Sequence, residues 1–438
     1  MKKRIKVKKL TVFFYTLGCK VNQYESQAMG EILQNEGFSV VLNPKDADII
    51  VVNSCTVTGE SSRKTRQTIR RLKKNNPKAI MMLTGCMVQA FPEAAVEIGE
   101  ADIVIGNTDY DKVAEVIDEY FENRNRIVAI KEHKTGEKYT ELSVSGFSEH
   151  TRSYMKKEDG CNRFCSYCII PYARGRVRSR SVEDIKKEAL RLSQNGFKEI
   201  VLVGINLSAF GQDTGAELCD AVEAVAAVDG IERVRLGSLE CDMISDNALD
   251  RLANCSKFCP QFHLSLQSGC DKTLKEMNRK YDKEFYRDLV KRIRARFENP
   301  SITTDVMVGF SGETEQDFEE SRKFVEEIGF ARSHIFIYSV REGTKAAERT
   351  DRVDLKVKQE RSQRMQATAI CSEKAFLHSQ VGRISKVLFE EMVDGAWEGY
   401  TENYTRVRVN SDCSLEGKIL PVLITAAGDG LCDGELPF

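Results

Sequence analysis

Over residues 10–121 the apolar positions fall in short unbroken runs separated by amphipathic stretches. Residues 10–17, 47–53, 79–84 and 101–105 read as strands, and 25–35, 61–74 and 111–121 as helices. Ala28, Met29, Ile32 and Leu33 share one face of the first helix, and Asn75-Asn76-Pro77 stops the second. Unbroken apolar strands alternating with helices predict a parallel sheet with helices on both faces. A polar stretch, 122–150, interrupted by a short strand at 127–130, reads as a linker. Strand and helix then alternate six times. The strands are 153–157, 199–203, 233–236, 262–266, 302–308 and 334–338; the helices are 182–193, 218–228, 247–253, 273–277, 283–296 and 315–328. Six such units predict an open, partial (β/α)6 barrel with its active site at the carboxyl ends of the strands. Residues 353–378 are charged and helical. Beyond 381 the pattern shortens to strands at 381–390, 399–404, 406–409 and 419–424 between Gly, Asp and Asn turns, which predicts a small β-barrel. The expected fold class is therefore α/β, with an N-terminal parallel sheet domain (1–121), a linker (122–150), a central partial barrel (151–370) and a C-terminal β-barrel (371–438).

Composition narrows this little. The chain has 438 residues, 41% hydrophobic and 30% charged, as an ordinary globular protein does. Its net charge of −1 means that any nucleic-acid contact must come from local basic patches. Met1-Lys2-Lys3-Arg4 and the apolar residues before Cys19 imitate a signal peptide with a lipid-modified cysteine. That run is only about seven residues long and is broken by threonines, so it reads as a strand. No apolar run is long enough to span a membrane. Fourteen cysteines without regular paired spacing favour a reducing, cytoplasmic compartment.

The cysteines carry the chemistry. Cys161, Cys165 and Cys168 stand in a C-x3-C-x2-C loop, Asp159 to Pro171, and the next cysteine is Cys219. Closed iron–sulfur and zinc sites take four ligands. Three thiolates on one loop instead suit three corners of an iron–sulfur cube and leave the fourth iron open. Cys19, Cys55 and Cys86 each fall just after an N-terminal strand, with Gly18 and Gly85 beside two of them. In a parallel sheet all carboxyl ends share one edge, where open α/β sheets bind ligands. These three thiols are thus expected to converge on a second three-cysteine cluster. The other eight cysteines read as packing residues.

Position marks further candidates at the barrel's carboxyl edge: Gly204, Asn206, Ser238, Glu240 and Gln267, with Asp305 inside the fifth strand. Helix caps and turn residues occupy such junctions too. His263, in an apolar strand, reads as a packed histidine, and His133, His150, His334 and His378 form no metal spacing. Two basic runs flank the proposed clusters and predict a polyanionic substrate. One contains Arg63, Lys64, Arg66, Arg70, Arg71, Lys73 and Lys74; the other contains Arg174, Arg176, Arg178 and Arg180. In the small barrel, Arg383, Lys386, Tyr400, Tyr404, Arg406 and Arg408 are available to nucleic acid.

The C-x3-C-x2-C spacing, with Tyr167 before its last cysteine, resembles the cluster loop of radical S-adenosylmethionine (SAM) enzymes. The whole chain resembles the methylthiotransferase family within them. The motifs are Gly18-Cys19-Lys20-Val21-Asn22-Gln23-Tyr24-Glu25-Ser26, Val52-Asn53-Ser54-Cys55-Thr56-Val57-Thr58, Gly85-Cys86, and Gly160-Cys161 through Pro171-Tyr172-Ala173-Arg174-Gly175. The resemblance implies two 4Fe-4S clusters, one on Cys161, Cys165 and Cys168 and an auxiliary one on Cys19, Cys55 and Cys86. It also implies SAM on the open iron, with Tyr167 and the barrel-edge candidates as its contacts, and a C-terminal TRAM-like RNA-binding domain. The implied reaction uses one SAM to methylate a sulfur on the auxiliary cluster. A second SAM, cleaved reductively, yields a radical that removes hydrogen from an unactivated carbon. A reduced flavodoxin or ferredoxin-type donor would supply the electron. Family branches act on isopentenyladenosine in tRNA, on a ribosomal-protein aspartate, and on threonylcarbamoyladenosine beside the tRNA anticodon. Lys20-Val21-Asn22-Gln23 and Ser54-Cys55-Thr56-Val57-Thr58 are similar to the third branch. A non-catalytic iron–sulfur or zinc protein that binds RNA is the rival from another class.

Overall fold

The computed structural model describes residues 10–146 and 151–437. The basic lead (1–9), His150 and the rest of 147–150 in the expected linker lie outside the described residues. The chain forms two compact units. The first comprises Met1–Ser145, Glu158–Arg180 and Ser339–Ala347; the second comprises Gly146–Lys157, Ser181–Tyr338 and Glu348–Phe438.

The first unit is built on a six-stranded, wholly parallel sheet. Its order is Ser39–Val40, Thr11–Thr16, Ile49–Ser54, Ile80–Gly85, Ile103–Ile105, Ile127–Ala129. Ile50, Val52, Leu83 and Val104 bury their side chains against Ile69 and Leu72 of the Gly59–Asn75 helix. Strand order reverses between Thr11–Thr16 and Ile49–Ser54. A doubly wound sheet opens its ligand crevice at such a reversal, at the carboxyl edge. Two expectations need correction. The short strand at 127–130 does not interrupt a linker; as Ile127–Ala129 it completes the sheet. The first helix begins at Lys20, not 25, because Asn22, Glu25 and Ser26 in its opening turns are buried polar residues that hide the apolar period.

In the second unit the parallel strands Arg152–Lys156, Glu199–Val203, Arg233–Leu236, Gln261–Leu264, Ser301–Val308 and Arg332–Ile337 follow one another around an open barrel. The ladder is regular except between the third and fourth strands. There the Val234 N–H bonds the Lys257 carbonyl and the Cys259 N–H bonds that of Val234. The 24-residue helix Leu355–His378 follows. It leads to a closed five-stranded barrel ordered Ile384–Val393, Ala396–Thr401, Arg406–Val409, Cys432–Glu435, Ile419–Ala427. Val387, Phe389, Trp397, Val407, Val422 and Ile424 fill it. Its strand Cys432–Glu435 carries no apolar alternation and escapes a sequence reading.

The small barrel is fastened to the larger one by charge. Arg235, fully buried, donates to Glu199 (2.9 Å) and to the carbonyls of Thr401 and Glu402. Arg233 donates to the carbonyls of Tyr400 and Lys386. Tyr400 and Tyr404 stack at 4.6 Å beneath Arg152, and Arg235 covers Tyr404. This corrects the expectation that these tyrosines are available to nucleic acid. Arg406 and Arg408 are likewise paired, with Glu398 and Asp433.

Candidate metal centres

The carboxyl edge of the first unit's sheet gathers Cys19, Cys55 and Cys86. Cys19 is the N-cap of the Lys20–Asn35 helix, Cys55 follows the Ile49–Ser54 strand, and Cys86 opens the short helix Cys86–Ala90. The loops meet closely: Gly18 has φ +111°, and a Cβ there would lie 3.2 Å from Cys55 Sγ. Cys19 is exposed while the other two are buried. Burial pushes the free Cys86 thiol up to about 12, against the opposing pull of Arg174. A polar lattice props the site. Asn22 Nδ2 donates to Asn53 Oδ1 and to the Ser54 carbonyl, Asn53 Nδ2 donates to the Asn22 carbonyl and Ser26, and the Cys19 thiol lies 3.3 Å from Asn22 Oδ1.

Arg174 ties this edge to the other cysteine loop. Its Nε donates to Cys86 Sγ at 3.0 Å, its Nη2 to Asn22 at 3.3 Å, and both terminal nitrogens to Glu25. Asp159 Oδ2 lies 3.4 Å from Nη1. Arg174 and Glu25 are fully buried. Arg178 is buried too, between Asp159, Glu137 and the carbonyls of Arg174 and Arg176. The expectation that Arg174 and Arg178 meet nucleic acid is therefore corrected, because both are committed inside the protein. Arg180 is also buried; only Arg176 of that run is exposed, lying over Phe164 at 4.7 Å.

The Cys161–Cys168 loop is pinched at its base. Glu158–Asp159 pairs with Arg178–Ser179, and the Cys161 N–H bonds the Gly175 carbonyl. The Cys168 N–H closes a turn onto the Cys165 carbonyl, and all three thiols are half-buried. Among the described residues, no three His, Cys, Asp or Glu side chains are grouped tightly enough to chelate a single ion. A cubane takes its thiolates at separate iron corners, so wider spacing suits it. Three soft donors on one turn, and three more on a sheet edge with an arginine beside them, have the chemistry such clusters require.

In the second unit the barrel-edge candidates have partners of their own. Arg279, which sequence reasoning missed, grips Glu240 (Nη1 at 3.2 Å) and the Ser265 carbonyl. Ser238 Oγ is 3.1 Å from Ser265 Oγ. Gln267 has φ +66°, and its N–H bonds the Asp305 carbonyl. Asp305 Oδ2 is 3.3 Å from His263 Nε2, whose other nitrogen meets Thr303. Asn206, buried, and Gly204 follow the second strand. On the Gly59–Asn75 helix, Arg63, Lys64, Arg70 and Arg71 are exposed and Arg66 is half-buried. Arg63 pairs with Glu60 and Arg70 with Glu100, while Arg71 lies over Tyr15.

A thiol-bearing sheet edge bound through an arginine to a three-cysteine loop, in a chain that also forms an open parallel barrel, has the donor sets of an iron–sulfur enzyme. Comparison with known proteins agrees. Residues 155–325 match the Radical SAM superfamily, and residues 11–106 match a family described as Uncharacterized protein family UPF0004. The chain is 37% identical over 434 residues to the threonylcarbamoyladenosine tRNA methylthiotransferase MtaB of Bacillus subtilis, covering 97% of this chain and 96% of that protein. It is 35% identical over 435 residues to the tRNA-2-methylthio-N(6)-dimethylallyladenosine synthase of Alkaliphilus oremlandii, covering 96% and 91%. The fold is similar to that of TsrM, a radical SAM methyltransferase from Kitasatospora setae, with TM-score 0.57, 13% identity and 78% and 77% of the chains covered. The chain belongs to the radical SAM methylthiotransferase family, and its cofactors are SAM and two 4Fe-4S clusters. Among the described residues, no helix is long and apolar enough to cross a membrane.

Proposed function

We propose that the protein transfers a methylthio group to C2 of N6-threonylcarbamoyladenosine beside the anticodon of tRNA. The near-full-length similarity to an enzyme named for that nucleoside carries the reading. When bound, SAM and the clusters supply hydrogen abstraction from carbon and the sulfur to be inserted. Cys161, Cys165 and Cys168 hold the SAM-binding cluster, and Cys19, Cys55 and Cys86 hold the auxiliary one. Arg174 places a positive charge where three thiolates would otherwise repel one another, and fixes the Cys86 side chain. Glu240, Gln267, Asp305 and Asn206 are the candidates for contacts to SAM's polar groups, and Lys64, Arg66, Arg70 and Arg71 the candidates for the RNA backbone. A ferredoxin- or flavodoxin-type protein serves as donor.

Mass spectrometry of nucleosides from tRNA incubated with reconstituted, reduced enzyme and SAM tests this. The expected product is 2-methylthio-threonylcarbamoyladenosine. Methylthiolation of dimethylallyladenosine instead, the activity named for the second relative, would replace the proposed substrate.

A further inference from the structure

Arg341 has no role in the scheme above. It lies in Ser339–Ala347, a segment far along the chain that belongs to the first unit. That segment connects the two cysteine sites. The Ala346 N–H bonds the Ser166 carbonyl, between Cys165 and Cys168. A Cβ on Gly343 would lie 3.3 Å from Ile169. At its other end, Arg341 Nη2 donates to Thr56 Oγ1, the residue after Cys55, and to Ser62 Oγ at 2.8 Å.

Arg341 is 7% exposed, and its guanidinium lies 4.5 Å above the ring of Phe91. Both protein acceptors are neutral hydroxyls. Nε is buried and has no hydrogen-bond partner. Among the described residues no carboxylate pairs with Arg341; the adjacent acid, Glu342, is exposed and forms no ion pair. Arg66, on the helix that also carries Ser62, is half-buried and forms no ion pair among the described residues. Glu60, at the start of the same helix, is taken by Arg63. A buried charge with an unmet donor is costly, and an incoming anion relieves that cost.

We infer that Arg341 binds the carboxylate of the threonylcarbamoyl group and so selects this nucleoside. The inference rests on the proposed function. Position favours the base substituent over a backbone phosphate. Arg341 adjoins Cys55, where the sulfur must meet adenine C2, and only N1 separates C2 from the carbon bearing the N6 substituent. Phosphates stay farther out, where Lys64, Arg70 and Arg71 are exposed. A dimethylallyl group offers the arginine nothing, because it carries no charge or acceptor. A ribosomal aspartate offers a carboxylate, but the exposed basic helix beside the site suits RNA.

The test titrates anticodon stem-loops into reconstituted holoenzyme. They carry threonylcarbamoyladenosine, its threonyl primary amide, or dimethylallyladenosine. Wild type is expected to bind the acid about 10- to 100-fold more tightly than the amide, as a charge-assisted hydrogen bond does. Arg341→Met removes that preference and leaves amide affinity and cluster iron content unchanged; Arg341→Lys keeps part of it. Equal binding of acid and amide by wild type overturns the inference without any variant, so a poorly folding Arg341→Met does not shield it. Methylthiolation of the threonylcarbamoyl stem-loop with no acid–amide preference removes only the role of Arg341. Methylthiolation of the dimethylallyl stem-loop, or of an aspartate peptide, in place of that substrate removes the proposed function and this inference together.

Discussion

Arg174 shows how far a residue's role can lie from its sequence context. In a run of four alternating arginines it reads as a surface cation. Its partners Glu25 and Cys86 are 149 and 88 positions away, so nothing local distinguishes it. In the fold it donates to Cys86 Sγ while Glu25 holds its far end. Hydrogen bonds to cluster sulfurs are among the factors that set reduction potential, and outer partners of metal ligands commonly affect affinity about 10- to 100-fold. Arg174→Lys keeps the charge and loses the Nε donor. With Cys161, Cys165 and Cys168 changed to Ala, only the auxiliary cluster remains to be observed. There the substitution is expected to lower that cluster's potential, since an N–H donor favours the more negative reduced state, and to weaken iron retention. An unchanged potential in an EPR-monitored redox titration would show that the contact does not serve the cluster. The cysteines were legible because each stood at a strand end or in a tight spacing. Asn22, Glu25 and Asn53 were not, because buried polar residues read as surface until their partners are known.

At the scale of elements, the strands and helices with strong periodicity emerge within a few residues of their expected limits; Lys283–Arg296 and Glu315–Ile328 match fully. Elements whose stability comes from neighbours rather than from their own pattern, such as Ser39–Val40 and Cys432–Glu435, escape the reading. The two-residue ribbon Glu158–Asp159 with Arg178–Ser179 belongs with them, and it closes the base of the cysteine loop. Gly160 makes that closure possible. It has φ +85°, and a Cβ there would fall 1.9 Å from the Arg176 carbonyl oxygen. No side-chain adjustment relieves a clash with backbone. Gly160→Ala is therefore expected to pry the loop open and abolish SAM cleavage, while the auxiliary cluster's absorbance survives. Deoxyadenosine formation by the dithionite-reduced variant at the wild-type rate would contradict it.

The whole molecule depends on segments that are distant in sequence. The first unit takes in Glu158–Arg180 and Ser339–Ala347 along with the N-terminal sheet, so one body carries both cysteine triads. The second joins the open barrel to the small one through Arg152, Arg233 and Arg235. Arg235 is the most deeply placed of these, with Glu199 at 0% exposure beside it. Glu199 stays ionised because these arginines outweigh the penalty of its burial. Removing one member of a buried pair leaves the other uncompensated, at about 3–5 kcal/mol. Arg152 and Arg233 remain near Glu199, at 4.0 and 3.5 Å, which puts Arg235→Ala at the lower end of that range. The variant also loses the bonds to the Thr401 and Glu402 carbonyls and the cover over Tyr404, so the damage centres on the small barrel's attachment. Limited proteolysis should release the region beyond Ile384 sooner than in wild type, at temperatures where the N-terminal unit is still intact. Replacing Glu199 by Gln as well should recover part of the loss by removing the stranded charge. If the double variant is no better than Arg235→Ala alone, the lost carbonyl bonds, and not the buried ion pair, hold the small barrel in place.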